Sequence, residues 1–433
     1  MSKASLLLTI AGMKRSRPEI MAPVGSFESL AAALNAGADS VYFGIAQLNM
    51  RARAANNFTL ENVAELVEQA RGRGVKTYLT LNTVLYDHDL NLMQKIIDRV
   101  AELGIDAVII SDIAAMVYAR EKGVTVHAST QLSISNIESV RFFAQFCDTI
   151  VLARELDLMM IKKITQEIRE QRICGPSGEP VRIEIFVHGA LCLAQSGRCH
   201  MSLMQYNASA NRGACLQNCR RQYLLTDKET GEELAVEDNY ILSPKDLCSI
   251  GFVDQLIEAG VEVFKLEGRG RSADYVDRVV QVYREAVEAV EKGEYTLEAI
   301  EGWEAQLKSV FHRGLSAGYY LGKPFLELSG SYGSQATEER VFVGKINHYF
   351  SKRKVAELSI QSHEIKVGDR FVAIGTSTGV VRGEITELRR DDKSTVCGSK
   401  SEIVTFPVSE ALHKNDKFYV LTARNVESVA HTI

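Results

Sequence analysis

Four cysteines within a stretch of 28 residues are the clearest chemical signal in this sequence. They are Cys192, Cys199, Cys215 and Cys219, spaced C-x6-C-x15-C-x3-C. Four thiolates can hold either zinc or an iron–sulfur cluster. Spacings of six and three residues are wider than the paired two-residue knuckles that wrap one small zinc ion. The spacing therefore favours an iron–sulfur cluster, with zinc as the alternative.

The segment that carries these cysteines is also free of acidic residues. From 185 to 226 it contains no Asp or Glu, whereas it contains Arg212, Arg220 and Arg221. A local excess of arginine attracts the phosphates of nucleic acids. The same arginines could instead offset the negative charge of a thiolate-bound cluster. The sequence leaves both interpretations open.

The elements that must position these residues alternate between short apolar runs and amphipathic helical stretches. Eight such units in about 270 residues predict a TIM-like (β/α)8 barrel, an α/β fold with a usual size of ~250 residues. A doubly wound open sheet is the alternative, weakened because no G-x-G-x-x-G follows the first strand. The predicted strands are Glu19–Ala22, Ser40–Phe43, Lys76–Leu81, Ala107–Ile110, Thr125–Ala128, Thr149–Ala153, Arg182–Val187 and Glu262–Leu266.

Three domains or segments follow from this pattern. We expect a flexible N-terminus over residues 1–17, the barrel over 18–330 with the cysteine-bearing insertion at about 190–240, and a small β-barrel domain over 331–433. The last of these is predicted from short strands separated by turn residues. Its expected strands are Arg340–Ile346, Lys354–Ile360, Asp369–Ile374 and Phe418–Leu421.

The composition is that of a folded protein. Hydrophobic residues make up 46% of the 433 residues and charged residues 24%, and the formal net charge is −5. A negative net charge argues against a nucleic-acid partner when taken as an average, but the acid-free insertion permits one locally. No run approaches the ~18 apolar residues of a membrane span. The N-terminal apolar run precedes its basic residues, the reverse of a secretory signal, so we expect a cytoplasmic protein without membrane contact.

Active sites of (β/α)8 barrels lie at the carboxyl ends of the strands. Charged residues at this position are more often partners of a ligand than packing residues, which makes Arg154 and Arg269 candidates. Glu184 and His188 are separated by an even number of residues, so both are expected to point into the barrel. A buried ion pair is the alternative for Glu184. The other polar residues expected at the strand ends include Asn82, Gln131 and Glu267.

Several hydrolytic motifs are absent from the sequence. It contains no H-E-x-x-H and no P-loop. A cysteine protease would need a free, activated thiol beside a histidine. His188 and Cys192 are four residues apart, but Cys192 is better used as a cluster ligand.

The segment Glu184-Ile-Phe-Val-His-Gly-Ala-Leu-Cys-Leu-Ala-Gln-Ser-Gly-Arg-Cys199 closely resembles the signature of the collagenase-like peptidase U32 family. The resemblance covers about residues 17–350 and places Tyr42, Arg51 and Arg53 in matching stretches. Further matching stretches lie at 22–25, 35–42, 51–53, 243–246 and 265–269.

Within that family the chain is similar to a branch that takes part in oxygen-independent hydroxylation of tRNA. The resemblance implies formation of 5-hydroxyuridine at the wobble position, with prephenate as a required metabolite. It also implies a [4Fe-4S] cluster on the four clustered cysteines, with Cys248 as the only nearby substitute for Cys219. A collagenase-like peptidase and a non-catalytic zinc-containing RNA-binding module are the alternatives.

On this interpretation the expected partners are a tRNA anticodon stem-loop, prephenate and the iron–sulfur assembly machinery. Arginines at the barrel mouth would bind phosphate or the carboxylates of prephenate, because guanidinium pairs with both. The expected catalytic residues are Arg154, Glu184, His188, Glu267 and Arg269. The expected substrate-binding residues are Tyr42, Arg51, Arg53, Asn82, Gln131, Arg212, Arg220 and Arg221.

Overall fold

The computed structural model describes residues 17–53, 57–233, 240, 242–322, 327–331 and 333–424. Apart from Arg17, the N-terminal segment that was predicted to be flexible lies outside these residues.

Eight parallel strands close into a barrel, as the sequence predicts. Neighbouring strands pair in chain order, and the barrel closes where β9 pairs with both β7 and β1. The strands of this region are β1 (Glu19–Pro23), β2 (Ser40–Gly44), β3 (Lys76–Leu81), β4 (Ala107–Ile110), β5 (Val126–Ala128), β6 (Thr149–Val151), β7 (Arg182–Gly189), β8 (Asp246–Cys248), β9 (Val263–Leu266) and β10 (Leu315–Ser316).

Helices surround the barrel because each places an apolar stripe against the strands. In α3, for example, Met93, Ile96, Ile97 and Val100 are buried while the residues between them are exposed or half-buried. The helices are α1 (Phe27–Asn35), α2 (Val63–Arg71), α3 (Leu90–Leu103), α4 (Ile113–Glu121), α5 (Ile137–Phe143), α6 (Leu158–Glu170), α7 (Met201–Tyr206), α8 (Val253–Glu258), α9 (Ala273–Lys292) and α10 (Leu297–Lys308).

A short additional strand, which the sequence analysis did not anticipate, lies outside the barrel. It is β8, which runs antiparallel to the end of β7 and pairs with β10. It follows the cysteine-bearing insertion, so β7 and β8 hold the two ends of that insertion at the barrel mouth. Within the insertion, the regular elements are the short helix α7 and two 3-10 helices of three residues each.

The C-terminal region is a separate antiparallel β-sheet around its own core. Its main sheet has the order β15-β14-β20-β11-β12-β19-β16-β17, and β13 pairs with β18. Side chains from both halves of the sheet, such as Phe371, Val381, Leu388 and Phe406, share one apolar cluster. The strands are β11 (Glu338–Phe350), β12 (Val355–Ile360), β13 (Ile365–Lys366), β14 (Arg370–Gly375), β15 (Gly379–Glu384), β16 (Leu388–Arg390), β17 (Lys393–Thr395), β18 (Cys397–Gly398), β19 (Ile403–Pro407) and β20 (Lys417–Ala423).

The C-terminal sheet packs on the barrel through α1 and α9. A small apolar cluster joins Ala32 and Ala273 of these helices to Val372, Ile374 and Val380 of β14 and β15. Gly379 sits so close to α1 that an added Cβ would come within 2.8 Å of the Ala32 nitrogen. The positions of the two domain boundaries stay a prediction. In the part of the chain that the structure describes, none of the helices has the length and apolar character needed to cross a membrane.

Candidate functional site

A cavity of about 210 Å³ lies at the barrel mouth, between the carboxyl ends of the strands and the insertion. Tyr42 reaches it from β2, Asn82 from the end of β3 and Arg154 from the end of β6. Glu267 and Arg269 come from the loop after β9. All of these except Tyr42, which the family resemblance indicated, were predicted from strand positions, and the closed barrel brings them into one cavity.

The charges that line this cavity are unbalanced. Of its described lining residues seven are cationic, whereas Glu267 is the one carboxylate. An excess of buried cations is costly unless an anion completes the site. The seven cationic residues are Arg51, Arg154, Arg220, Lys265, Arg269, Arg271 and Arg313.

Glu267 organises one side of the cavity. Its Oε1 is 2.7 Å from Nη2 of Arg51, and the Tyr42 hydroxyl donates to its Oε2 at 3.2 Å. Burial alone would raise the pKa of Glu267, but Arg51, Arg154 and Arg269 lower it to about 2. This carboxylate is therefore ionised at neutral pH and acts as an anchor for the arginines rather than as a proton donor.

Arg269 is held rigidly at the top of the barrel. Its Nη1 donates to Oδ1 of Asn49 at 3.1 Å and to Oγ1 of Thr80 at 2.9 Å. Burial lowers the pKa of Arg269 to about 10, which leaves it charged at neutral pH. Gly44 provides the space, because a Cβ there would lie 2.3 Å from this nitrogen.

Arg154 has hydrogen-bonding capacity that the protein does not use. Its Nη1 donates to the Ala190 carbonyl at 2.8 Å, and its guanidinium lies 3.8 Å from the ring centre of Phe186. Its Nε is buried without a hydrogen-bond partner among the described residues, and so is Oε1 of Gln131, another lining residue. Buried polar atoms normally have partners, so these two atoms mark a place for a ligand.

The four clustered thiols converge beside this cavity. Cys192, Cys215 and Cys219 line it. Burial raises the pKa of the Cys219 thiol, Arg220 lowers it, and the neighbouring thiols of Cys192, Cys215 and Cys199 raise it further. All four clustered cysteines therefore lie in one region of the insertion.

The donor set fits an iron–sulfur cluster in chemistry and number, because such clusters take four Cys thiolates. A zinc site would instead need its ligands within about 2.3 Å of one point. The residues that the structure describes contain no group of three or more His, Cys, Asp or Glu side chains arranged to hold a single metal ion. The support for a cluster is therefore the number and the chemistry of the thiols.

Cys248, the predicted substitute for Cys219, lies elsewhere. It sits on β8, where burial raises the pKa of its thiol to about 11 and its side chain contacts Tyr283. It does not line the cavity, whereas Cys219 does. The geometry therefore groups Cys219 with the other three cysteines.

The arginines predicted to bind substrate from the insertion are mostly used by the protein itself. Arg220 lines the cavity, but its Nη1 donates to the Pro244 carbonyl at 2.8 Å and to the Ser243 hydroxyl at 3.1 Å. Arg212 is paired with Asp89. Arg221 donates to the Tyr206 hydroxyl at 2.7 Å. Arg53 is exposed outside the cavity, with its backbone nitrogen bonded to Gly213.

Glu184 and His188 do not face the same way, so the prediction that both point into the barrel is wrong for His188. A β-bulge between Phe186 and His188 breaks the two-residue alternation of β7. Glu184 lies in the barrel interior, where its Oε1 is 2.6 Å from Nζ of Lys265 and its Oε2 is 3.3 Å from Nδ1 of His127. His188 instead packs against Tyr283 of α9, with Nδ1 3.4 Å from the hydroxyl.

The alternative interpretation of Glu184, a buried ion pair, therefore describes its contacts. Burial would raise the pKa of Glu184, but Lys265 and His127 lower it to about 2. His188 is buried among Tyr275, Tyr283 and other residues outside the cavity. Burial, with further lowering by His312 and Arg271, brings its pKa to about 3.

Sequence reasoning missed three cations of the cavity. Lys265 lies on β9, two residues before Glu267 in the loop that follows. Because alternate residues of a strand point the same way, this spacing could have indicated that Lys265 points inward. Arg271 follows Arg269 by two residues. Arg313 comes from beyond α10, and no local pattern indicates that it returns to the mouth, where it pairs with Asp246 at 3.1 Å.

The sequence profile of peptidase family U32 matches residues 25–329, which is more than half of the chain. The chain belongs to peptidase family U32. The match contains all strands of the barrel except β1, together with the cysteine-bearing insertion and every residue that lines the mouth cavity.

Relatives in the U32 family carry two kinds of name. A protein named collagenase from Porphyromonas gingivalis is 52% identical over 93% of this chain and 97% of its own length. A tRNA hydroxylation protein P1 from Bacillus subtilis is 32% identical over 94% of this chain and 96% of its own. A 23S rRNA 5-hydroxycytidine C2501 synthase from Escherichia coli is 36% identical over 70% of this chain and 45% of its own. This U32 protein is thus related to proteins named as RNA hydroxylases and to proteins named as collagenases.

Proposed function

We propose that this U32 protein hydroxylates the wobble uridine of tRNA to 5-hydroxyuridine without oxygen, with a [4Fe-4S] cluster and prephenate as requirements. The observation that carries the proposal is the excess of cationic side chains in a cavity whose wall contains three of four converging thiols. A nucleotide and a dicarboxylate are both anions, so both suit such a cavity. Relatives named as RNA hydroxylases match most of the chain and support the same assignment.

The cavity is suited to a nucleotide that has left its base stack. Proteins that act on a base commonly extrude it into a pocket and bind its edges and phosphates there. Arg154 offers a free Nε and Gln131 a free amide oxygen for such contacts. Arg51 and Arg269 are already oriented by Glu267, Asn49 and Thr80, so they can receive an anion without rearranging.

The four clustered cysteines would hold the cluster on the side of the cavity formed by the insertion. When bound, a [4Fe-4S] cluster supplies one-electron redox chemistry. Burial raises the pKa of the Cys219 thiol, and the neighbouring Arg220 partly opposes that rise. Its hydrogen bonds to Ser243 and Pro244 fix the insertion to the segment before β8.

A peptidase is the second candidate, favoured by the name of the 52% identical relative. The described residues that line the cavity include no histidine, and His188 is turned toward α9. A nucleophile–histidine pair of the kind that cleaves peptides is therefore not assembled at this mouth. Cleavage of gelatin by purified protein, undiminished by Cys192→Ala, would favour the peptidase over the hydroxylase.

The cluster requirement is tested by anaerobic purification of the wild type, Cys192→Ala and Cys397→Ala. Cys397 is a cysteine of the C-terminal sheet, outside the mouth cavity, and serves as the matched control. We expect a brown wild type and control with iron and sulfide, and a colourless Cys192→Ala protein that no longer restores 5-hydroxyuridine to tRNA. Retention of 5-hydroxyuridine by Cys192→Ala would contradict the proposal. The cytoplasm as location and the iron–sulfur assembly machinery as partner stay predictions.

A further inference from the structure

A second cavity adjoins the one at the barrel mouth. It is a cleft of about 320 Å³ between the barrel and the C-terminal sheet, which we call the interdomain cleft. The barrel side contributes Phe311 and the loop after β9, and the C-terminal sheet contributes Arg340 and Arg424. Gly270 and Arg271 line both this cleft and the mouth cavity. The two cavities therefore lie next to each other at Arg271.

Arg271 makes no close ion pair with the described residues at this junction, and Asp246 and Glu267 act on it only at longer range. Its guanidinium lies 3.5 Å from the ring centre of Phe311 and 5.9 Å from that of Tyr275. Its side chain makes no hydrogen bond or ion pair with any residue that the structure describes. Stacking on an aromatic ring fixes the plane of a guanidinium while leaving its N–H groups free to donate.

Most other charges of the interdomain cleft are already paired. Arg340 is paired with Asp274, and Arg382 with Asp277. Glu338 is 2.6 Å from Arg370, and Glu339 is exposed. Arg424, like Arg271, has no hydrogen bond or ion pair from its side chain to the described residues. Two unpaired guanidinium groups along one cleft are what successive phosphates of a nucleic-acid backbone require.

We propose that the interdomain cleft binds the RNA strand next to the modified nucleotide, with Arg271 contacting a flanking phosphate and Arg424 contacting the strand further along. This inference rests on the proposed function. It assigns a part in substrate binding to the C-terminal sheet, which no sequence motif indicated.

The test uses binding of a labelled anticodon stem-loop to the full-length protein. Three RNAs are compared: the unmodified one, and two in which the phosphate on one or the other side of the wobble nucleotide is an uncharged methylphosphonate. The proteins are the wild type, Arg271→Gln, Arg424→Gln and the control Arg141→Gln, a change on exposed α5 that touches neither cavity. Thermal unfolding of each variant checks that it is folded.

We expect one uncharged linkage to weaken binding by the wild type about tenfold, as loss of a charge-assisted hydrogen bond does. Arg271→Gln should weaken binding of the unmodified RNA by a similar factor and reduce the slope of log affinity against log salt by about one. Arg271→Gln should bind the RNA with that uncharged linkage as tightly as it binds the unmodified RNA. Arg424→Gln should weaken binding without removing the effect of the linkage, and Arg141→Gln should bind as the wild type does.

The inference would be overturned if each uncharged linkage weakened RNA binding by the same factor in Arg271→Gln as in the wild type. So would a gelatin peptide that displaces RNA from the wild type but not from Arg271→Gln, because the cleft would then belong to a polypeptide. Wild-type protein that hydroxylates tRNA while Arg271→Gln binds unchanged contradicts this inference alone. Wild-type protein that binds RNA with the expected Arg271 dependence but forms no 5-hydroxyuridine contradicts the proposed function alone.

Discussion

Both ends of the barrel contain buried charges, but these charges are paired differently at the floor, where the strands begin, and at the mouth, where they end. At the floor, Glu19 accepts from the Tyr78 hydroxyl at 2.7 Å and is paired with Arg182 at 3.0 Å and Lys76 at 3.6 Å. At the mouth, seven cations line a cavity with the single carboxylate of Glu267. Charges at the floor are paired within the protein. At the mouth, three of the cations have carboxylate partners, whereas four arginines have none within ion-pair distance among the described residues: Arg154, Arg220, Arg269 and Arg271. We infer that the floor serves stability and that the mouth serves an anionic ligand.

The interior pair of Glu184 and Lys265 gives the largest expected effect on stability. Glu184→Ala leaves the buried Lys265 ammonium without its carboxylate, and such a loss costs about 3–5 kcal/mol. Urea denaturation of the two proteins measures the difference. Glu138→Ala removes an exposed carboxylate 3.4 Å from Arg141 and should change stability by less than about 1 kcal/mol. A Glu184→Ala variant as stable as this control would contradict the claim that the interior ion pair contributes to stability.

Arg154 at the mouth should show the opposite behaviour. Arg154→Met keeps the apolar contact with Phe186 but removes the free Nε and the hydrogen bond to the Ala190 carbonyl. One such hydrogen bond contributes about 1 kcal/mol, so the loss of stability should be well below that of Glu184→Ala. Hydroxylation of tRNA should fall by about tenfold to a hundredfold, the effect of one lost hydrogen bond to a charged group. Nucleoside mass spectrometry after a timed reaction measures the fall. A large loss of stability with normal activity would place Arg154 with the interior charges.

His188 has little effect at neutral pH, and its effect is seen in the pH dependence of stability. Its pKa in the folded protein is about 3, below the ordinary value near 6.5, so the unfolded chain takes up the proton first. Its contribution is therefore fully present above pH ~6.5 and is lost as pH falls toward 3, by about 1.4 kcal/mol per pH unit. His188→Gln should flatten the pH dependence of unfolding free energy in that window.

Replacing the exposed His363 by Gln provides the control for this measurement and should leave the profile unchanged. Because His188 faces α9 and not the cavity, the hydroxylation rate of His188→Gln at neutral pH should stay close to that of the wild type. A wild-type pH profile that persists in His188→Gln would show that another group titrates there.

Much of the barrel could be predicted because its signals are local. Apolar runs mark the strands, and Gly37, Gly74, Gly104 and Gly260 each have positive φ between a helix and the next strand, where a helix C-cap is expected. Asp112 caps α4, with its carboxylate accepting from the Ala114 nitrogen at 3.0 Å. Each of these features depends on a few consecutive residues.

The parts that could not be predicted depend on long-range contacts or on irregularity. The bulge in β7 has no sequence signal, and it turns His188 away from the barrel although Glu184 points inward. Arg313 reaches the mouth because the chain returns there after α10. Arg271 packs its guanidinium on the ring of Phe311, which comes from the same returning segment. The arginines of the insertion stood out in the sequence, but three of them bind other parts of the protein.

The central claim is that the cation-rich mouth beside the four thiols is where tRNA is hydroxylated. Mass spectrometry of tRNA nucleosides from a strain that lacks this protein tests it most directly. If the claim is correct, 5-hydroxyuridine disappears from the tRNA of that strain and returns when the wild-type protein is restored. With Arg154→Met in place of the wild type, it stays below wild-type levels. Unchanged 5-hydroxyuridine in the strain that lacks the protein would contradict the account.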